Sequence, residues 1–133
     1  MKKILFDTDI LIELLRGNAA VYADLTKLAK DRALLAYTAV TEAELFHGLR
    51  GEKEESALTH TLSVFQCVDI GKEAGREAGR YLKKYAKSHG LDTADALIAA
   101  TAKINQLSLC TFNWKHYPMT DIEKYVLDRR IRD

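Results

Sequence analysis

Proline, cysteine and tryptophan are scarce in this chain, which has one proline, two cysteines and one tryptophan. With Pro118 alone and no Gly/Ser-rich tract there is no linker, and no internal repeat or low-complexity segment is found. Cys67 and Cys110 lie far apart, each in an apolar run, and no CxxC-type spacing exists. That pattern argues against a disulfide framework or a zinc site and predicts two buried thiols. The four histidines, His47, His60, His89 and His116, show no ligand pairing. No apolar run approaches the roughly 20 residues that span a bilayer. The basic start, Met1-Lys2-Lys3, turns apolar but meets Asp7 too soon for a signal-peptide core. The expectation is a cytoplasmic protein without a membrane partner. Charge of one sign is also missing: 20 basic and 19 acidic residues leave a formal net charge of +1. A nucleic-acid surface is neither demanded nor excluded by that balance and must come from local clustering.

What is present is an ordinary globular composition, 47% hydrophobic and 29% charged over 133 residues. This is enough for one domain, residues 1–133, and too little for two. Short runs of β-formers alternate with longer helical patterns. Strands are expected at Lys3–Phe6, Ala33–Tyr37, Phe65–Val68 and Leu107–Thr111. Helices are expected through Ile10–Leu15, Ala20–Lys30, a segment after a Thr38 or Thr41 cap carrying Leu45, Phe46 and Leu49, Glu52–Leu62, Lys72–Ser88 and Thr93–Asn105. The tail beyond Asn113 has no readable period. Such alternation predicts an α/β fold, a small, mostly parallel sheet flanked by helices, with its functional crevice beyond the carboxyl ends of the strands.

Three acids far apart in sequence fall on that rim. Asp7 directly follows the first strand, Glu44 lies early in the helix after the second, and Asp95 lies in the first turn of the helix before the last. Clustered carboxylates repel one another unless something offsets them, and an oxygen-rich site of this kind suits Mg²⁺ or Mn²⁺. Such an ion activates water for phosphodiester hydrolysis without a histidine base. Each acid also has a plainer reading. Asp7 caps the first helix, Thr41-Glu42-Ala43-Glu44 fits a capping box, and Asp92-Thr93-Ala94-Asp95 fits a cap followed by a dipole-favoured acid. Spacing alone leaves the two readings open.

Four blocks carry a resemblance: Leu5-Phe6-Asp7-Thr8-Asp9-Ile10-Leu11-Ile12, Thr41-Glu42-Ala43-Glu44-Leu45-Phe46-His47-Gly48-Leu49, Asp95-Ala96-Leu97-Ile98-Ala99-Ala100-Thr101-Ala102, and Thr111-Phe112-Asn113. In this order they resemble PIN-domain proteins, and more narrowly the VapC toxins of bacterial and archaeal toxin–antitoxin pairs. The resemblance implies a Mg²⁺- or Mn²⁺-dependent endoribonuclease, a homodimer, and a cognate antitoxin whose tail fills the active-site groove. It makes Asp7, Glu44 and Asp95 the catalytic and metal-binding core. Thr8 and Asp9 stand where polar neighbours vary in the family, with Asp9 read as a supporting residue. Thr111 ends the last strand at the same rim, and Asn113 stands where an amide or a fourth acid is common. The next acid expected in many members falls near His116 and is absent; Asp92, one turn before Asp95, is a substitute to weigh.

Lys72, Arg76, Arg80, Lys83, Lys84 and Lys87 recur at helical spacing. This stripe is either a solvated face or a phosphate track, with Arg76, Arg80 and Lys83, together with Lys115, as RNA-binding candidates. Gly71, Gly75 and Gly79 share that helix, and mid-helix glycine predicts close approach of another element. Arg16 is a further candidate for phosphate. Trp114, Tyr117 and Tyr125 either stack on bases or pack the tail onto the core. Two rivals remain. One is an Asp-x-Asp phosphatase of haloacid-dehalogenase type, prompted by Asp7-Thr8-Asp9 but lacking a matching downstream lysine and acidic pair. The other is a PIN-like binding module without catalysis.

Overall fold

The short β-forming runs pair into one sheet, and the two central ones, Lys3–Phe6 and Leu34–Thr38, are apolar on both faces and need cover on both. In the computed structural model, which describes residues 1–127, the strands are β1 (Lys3–Phe6), β2 (Leu34–Thr38), β3 (Gln66–Val68) and β4 (Ser108–Cys110). All three pairings are parallel, in the order β3-β2-β1-β4. The end of the expected domain span, 128–133, lies outside the described residues.

The helices are α1 (Thr8–Leu15), α2 (Ala19–Lys30), α3 (Ala39–His47), α4 (Glu52–Leu62), α5 (Lys72–His89) and α6 (Thr93–Ile104). Alternation along β1 divides the core in two. Ile4 and Phe6 join Ile10, Leu11, Val21 and Leu58 on one face, whereas Leu5 joins Ala78, Tyr81, Ile98 and Ala99 on the other. Full burial of each large apolar side chain is worth roughly 1.5–3 kcal/mol. The two layers therefore clamp β1, and Asp7 at its carboxyl end, in the centre of the molecule.

The chain moves from β1 through β2 to β3 in one direction, then returns to place β4 on the other side of β1. The crevice at which strand order reverses lies between β1 and β4, where ligands bind in open α/β sheets. Asp7 leaves β1 there, and its amide continues the ladder to the Cys110 carbonyl at 2.9 Å. Four polar caps start helices at their expected ends: Asp7, Asn18, Thr38 and Asp92. Gly90, at φ +68°, ends α5 in the left-handed conformation that glycine adopts without a Cβ penalty, and the chain enters α6 at once. α5 and α6 pack together as a helical hairpin.

Some expectations are corrected. Cys110 is buried but Cys67 is exposed, because β3 is a short strand at the edge of the sheet. Leu49 lies beyond the end of α3, although it still packs on the core. At Gly71, Gly75 and Gly79 no atom lies within 4 Å of an added Cβ. Among the described residues, then, no element makes the predicted close approach. The unreadable tail forms a 3-10 turn (Trp114–His116) and then a strap along β4, with Leu109 N–H donating to Glu123 O and Tyr125 N–H donating to Leu109 O, both at 2.8 Å.

Candidate active site

Asp7 caps α1 and still turns its second carboxylate oxygen toward the other acids, so its two readings are compatible. Its Oδ1 accepts the Thr8 amide at 2.7 Å, and its Oδ2 accepts the Thr111 hydroxyl at 2.8 Å and the Tyr117 hydroxyl at 3.0 Å. At 7% exposure the carboxylate is fixed by three donors from three separate segments.

Asp95 faces it from the first turn of α6. The Tyr117 hydroxyl lies 3.1 Å from Asp95 Oδ1, so one phenol joins the two carboxylates. Burial first, and then the charges of Asp92 and Asp7, push the Asp95 carboxyl up to about 6, against the opposing pull of Tyr117 and His116. Asp92 accepts the Asp95 amide at 2.8 Å and is exposed. It is a helix cap and reaches no other acid through a direct bond.

Glu44 is not engaged in the expected capping box. The cap of α3 is Thr38, whose hydroxyl accepts the Thr41 amide at 3.4 Å, and this places Glu44 in the second turn. From there Glu44 Oε1 accepts the Thr8 hydroxyl at 2.6 Å, and Thr8 is in turn 2.8 Å from the Thr41 hydroxyl. With its own proton on Glu44, Thr8 receives that of Thr41. The three acids are thus linked in a row, Glu44 through Thr8 to Asp7 and Asp7 through Tyr117 to Asp95.

Asp9 shares the Thr111 hydroxyl with Asp7. Its Oδ2 accepts the Phe112 amide at 3.0 Å and the Thr111 hydroxyl at 3.2 Å, tying α1 to the end of β4. Burial, followed by the charge of Asp7, pushes its carboxyl up to about 6. Asn113 does not reach the acids. Its amide lies 2.7 Å from His116 Nδ1, and that nitrogen is 3.5 Å from Asp95 Oδ2. His116 therefore stands at the rim where an acid was expected. Lys115, beside it on the 3-10 turn, is exposed.

Lys72, Arg76, Arg80, Lys83, Lys84 and Lys87 are all exposed on α5, with Arg80 paired to Glu77 at 3.1 Å. The stripe ends near the site: at Gly90 an added Cβ would lie 3.9 Å from His116 Nε2. Arg16 is paired to Glu13 at 3.1 Å. Of the two expectations for Tyr117, packing of the tail onto the core holds, and what the sequence did not show is that its hydroxyl reaches both Asp7 and Asp95. The only signal of this was that a tyrosine packed in a core needs a partner for its hydroxyl.

A model of the PIN domain matches residues 4–121. The chain belongs to the PIN-domain family. Within it, this PIN domain is 38% identical over 117 residues to Ribonuclease VapC10 of Mycobacterium tuberculosis, covering 87% of this chain and 86% of that protein. Among solved structures it is similar to VapBC2 from Rickettsia felis, bound to a DNA fragment from their promoter, with a TM-score of 0.80 and 24% identity. That match covers 95% of this chain and 99% of the other, and at that identity the likeness is one of fold. A toxin–antitoxin complex from Klebsiella pneumoniae matches with a TM-score of 0.66 and 26% identity, covering 90% and 98%.

The donor set of this PIN domain fits a hard divalent cation. Among the described residues, no lysine or arginine is ion-paired to Asp7, Asp9, Glu44 or Asp95, and the one facing cation is His116, 3.5 Å from Asp95, which carries charge only when protonated. No three His, Cys, Asp or Glu side chains among those residues form a ready-made cage. Mg²⁺ does not need one, since it keeps several waters and takes one or two carboxylates plus substrate phosphate.

Proposed function

We propose that this chain is the endoribonuclease toxin of a VapBC-type toxin–antitoxin pair and that it hydrolyses RNA phosphodiesters at a Mg²⁺ or Mn²⁺ site held by Asp7, Glu44 and Asp95. The observation that carries the reading is the Asp7–Asp95 pair, joined at the β1/β4 switch point of a chain that matches the PIN domain along most of its length. A bound divalent cation supplies an activated water and offsets the charge that builds on the phosphodiester. The protein's part is placement. The three donors on Asp7 fix one ligand, Thr8 aims Glu44 toward it, and Asp9 secures the β4 end from which Thr111 and the Tyr117 strap depart. Because Asp9 is held by the Phe112 amide, it is not the free second carboxylate that an Asp-x-Asp phosphatase needs.

Arg76, Arg80, Lys83 and Lys115 are assigned to the RNA backbone, since the α5 stripe ends beside His116. For the antitoxin we assign an apolar groove of about 490 Å³, lined by Leu14, Tyr22, Leu25, Val64 and Phe65. Tyr22 and Val64 on its walls are 63% and 73% exposed, which suits the apolar face of a docked helix. A two-fold homodimer uses one patch twice and must be self-complementary, so a concave groove favours a different partner, and the homodimer contact is sought elsewhere.

The test is to incubate the purified chain with RNA and with a phosphate monoester, with Mg²⁺ or Mn²⁺ and then with EDTA. RNA cleavage that EDTA and Asp7→Asn each abolish is the expected result. Monoester turnover without RNA cleavage favours the phosphatase. RNA left intact at high enzyme and metal favours a binding module, the reading that the histidine at position 116 would support.

A further inference from the structure

We infer that Tyr117 is a positioning residue whose single hydroxyl, held between Asp7 and Asp95, sets the separation of the two carboxylates and thereby prepares them for a divalent cation. The inference rests on the reading of those two acids as cation ligands. Its ground is geometric. The hydroxyl oxygen lies 3.0 Å from Asp7 Oδ2 and 3.1 Å from Asp95 Oδ1, so the two contacts are nearly equal. A phenol has one proton to donate and draws the two acceptors toward one point.

The ring that carries this hydroxyl is 2% exposed and packs in the core beside Leu109 and Met119. Its backbone is fixed from both sides. Upstream, the Asn113 amide donates to the Thr111 hydroxyl at 3.0 Å, and the Tyr117 amide closes the 3-10 turn on the Trp114 carbonyl at 2.9 Å. Downstream, the strap is paired to Leu109 on both sides of Lys124, and Asp121 accepts the Tyr81 hydroxyl at 2.9 Å and the Lys103 ammonium at 2.8 Å. A hydroxyl on a buried ring between two anchored segments is a rigid post. The acids it spaces come from elements far apart in sequence, the end of β1 and the first turn of α6. Without the hydroxyl, two carboxylate oxygens face each other in a poorly solvated crevice, and repulsion spreads them.

The role differs from that of Thr111. Thr111 also donates to Asp7 Oδ2, but its other contacts run to Asp9, so it restrains one ligand and leaves the gap to Asp95 alone.

The experiment measures Mn²⁺ binding by calorimetry for wild type, Tyr117→Phe and Thr111→Val, with melting temperatures alongside. Removing a residue that orients a metal ligand costs about 10- to 100-fold in affinity. Tyr117→Phe is expected to weaken Mn²⁺ binding by about tenfold or more. It should leave KM for RNA unchanged and lower kcat at limiting Mn²⁺, with recovery as Mn²⁺ is raised. A Tyr117→Phe protein that binds Mn²⁺ as tightly as wild type, or more tightly, overturns the inference. So does an equal loss in Thr111→Val, because the bridge then has no role of its own. A wild-type protein that binds no Mn²⁺ overturns the metal-site reading as well, which separates the two failures. A second measurement needs no variant. With ring-labelled tyrosine in the wild-type chain, the Tyr117 resonance should shift during a Mg²⁺ titration with the midpoint of Mg²⁺ binding, and an unmoved resonance overturns the inference.

Discussion

Thr8 shows how one side chain can serve fold and site together. Its amide donates to the capping Asp7 side chain, and its hydroxyl donates to Glu44 at 2.6 Å while standing 2.8 Å from Thr41. Valine would keep its volume and leave the buried Thr41 hydroxyl and the exposed Glu44 carboxylate without their bonds. A typical bond of this kind contributes about 1 kcal/mol, and an unsatisfied partner costs about 1–3. Thr8→Val should therefore lose about 1–3 kcal/mol in a denaturant titration. RNA cleavage should fall with it even where the variant is fully folded, because Glu44 is no longer aimed. Full activity in a folded Thr8→Val would show that Glu44 needs no such guide. Sequence placed Asp7, Glu44 and Asp95 on one rim but left capping as an equal explanation. Only the tertiary contacts show that Asp7 can cap α1 and still face Asp95 through Tyr117, that Asp92 caps α6, and that Glu44 does not cap α3.

Among the elements, α5 carries six of the 20 basic residues, all exposed. From Lys72 to Lys87 the helix rises roughly 22 Å at about 1.5 Å per residue, a length that spans several phosphates. Arg76 and Lys83 have no ion pair among the described residues, whereas Arg80 shares its charge with Glu77. Arg76→Glu combined with Lys83→Glu should weaken RNA binding and flatten its dependence on salt, read from dissociation constants at several salt concentrations. An unchanged slope would return the stripe to the role of a solvated face.

The same helix is joined to α6 and the strap by Glu77, Lys103, Tyr81 and Asp121. Burial raises the Asp121 carboxyl, but the hydrogen bonds from Lys103 and Tyr81 outweigh it and hold the group below its ordinary 3.8. A carboxyl depressed in the folded state adds stability above its unfolded pKa and loses it as pH falls through the folded one. The melting-temperature gap between wild type and Asp121→Asn should therefore be full near neutral pH and close below about 4. A gap that is constant down to strong acid would mean that the ion pair contributes nothing.

For the whole molecule, the acidic rim and the apolar groove share α1 but use its two ends. The rim takes Asp7 and Thr111 from the ends of β1 and β4, Thr8 and Asp9 from the start of α1, Glu44 from α3 and Asp95 from the first turn of α6. The groove is lined by Leu14 near the end of α1, by α2, by Leu35 of β2, and by α4 and the segment after it. The groove is the surface assigned to the antitoxin, and its exposed Tyr22 and Val64 make that assignment testable. Val64→Asp should weaken retention of the cognate antitoxin in co-purification while leaving RNA cleavage by the free chain unchanged. Retention at wild-type strength would place the antitoxin elsewhere, and a loss of self-association instead would make the groove a contact between copies.

The sequence by itself determined the alternation of strands and helices, the parallel sheet and the acids on its carboxyl edge. Each of these follows from local periodicity, caps and the direction in which a helix leaves a strand. Features that needed the folded chain lie where local pattern carries no information. Tyr117 sits in a tail without a period, and its meaning depends on acids 110 and 22 residues away in sequence. Cys67 looked as apolar in context as Cys110, but its strand fell at the edge of the sheet. The Gly75–Gly79 face turned out to be open because the elements that pack on α5 lie on its other side. In each case the deciding quantity was the distance between segments remote in sequence, and that exists only once the chain has folded.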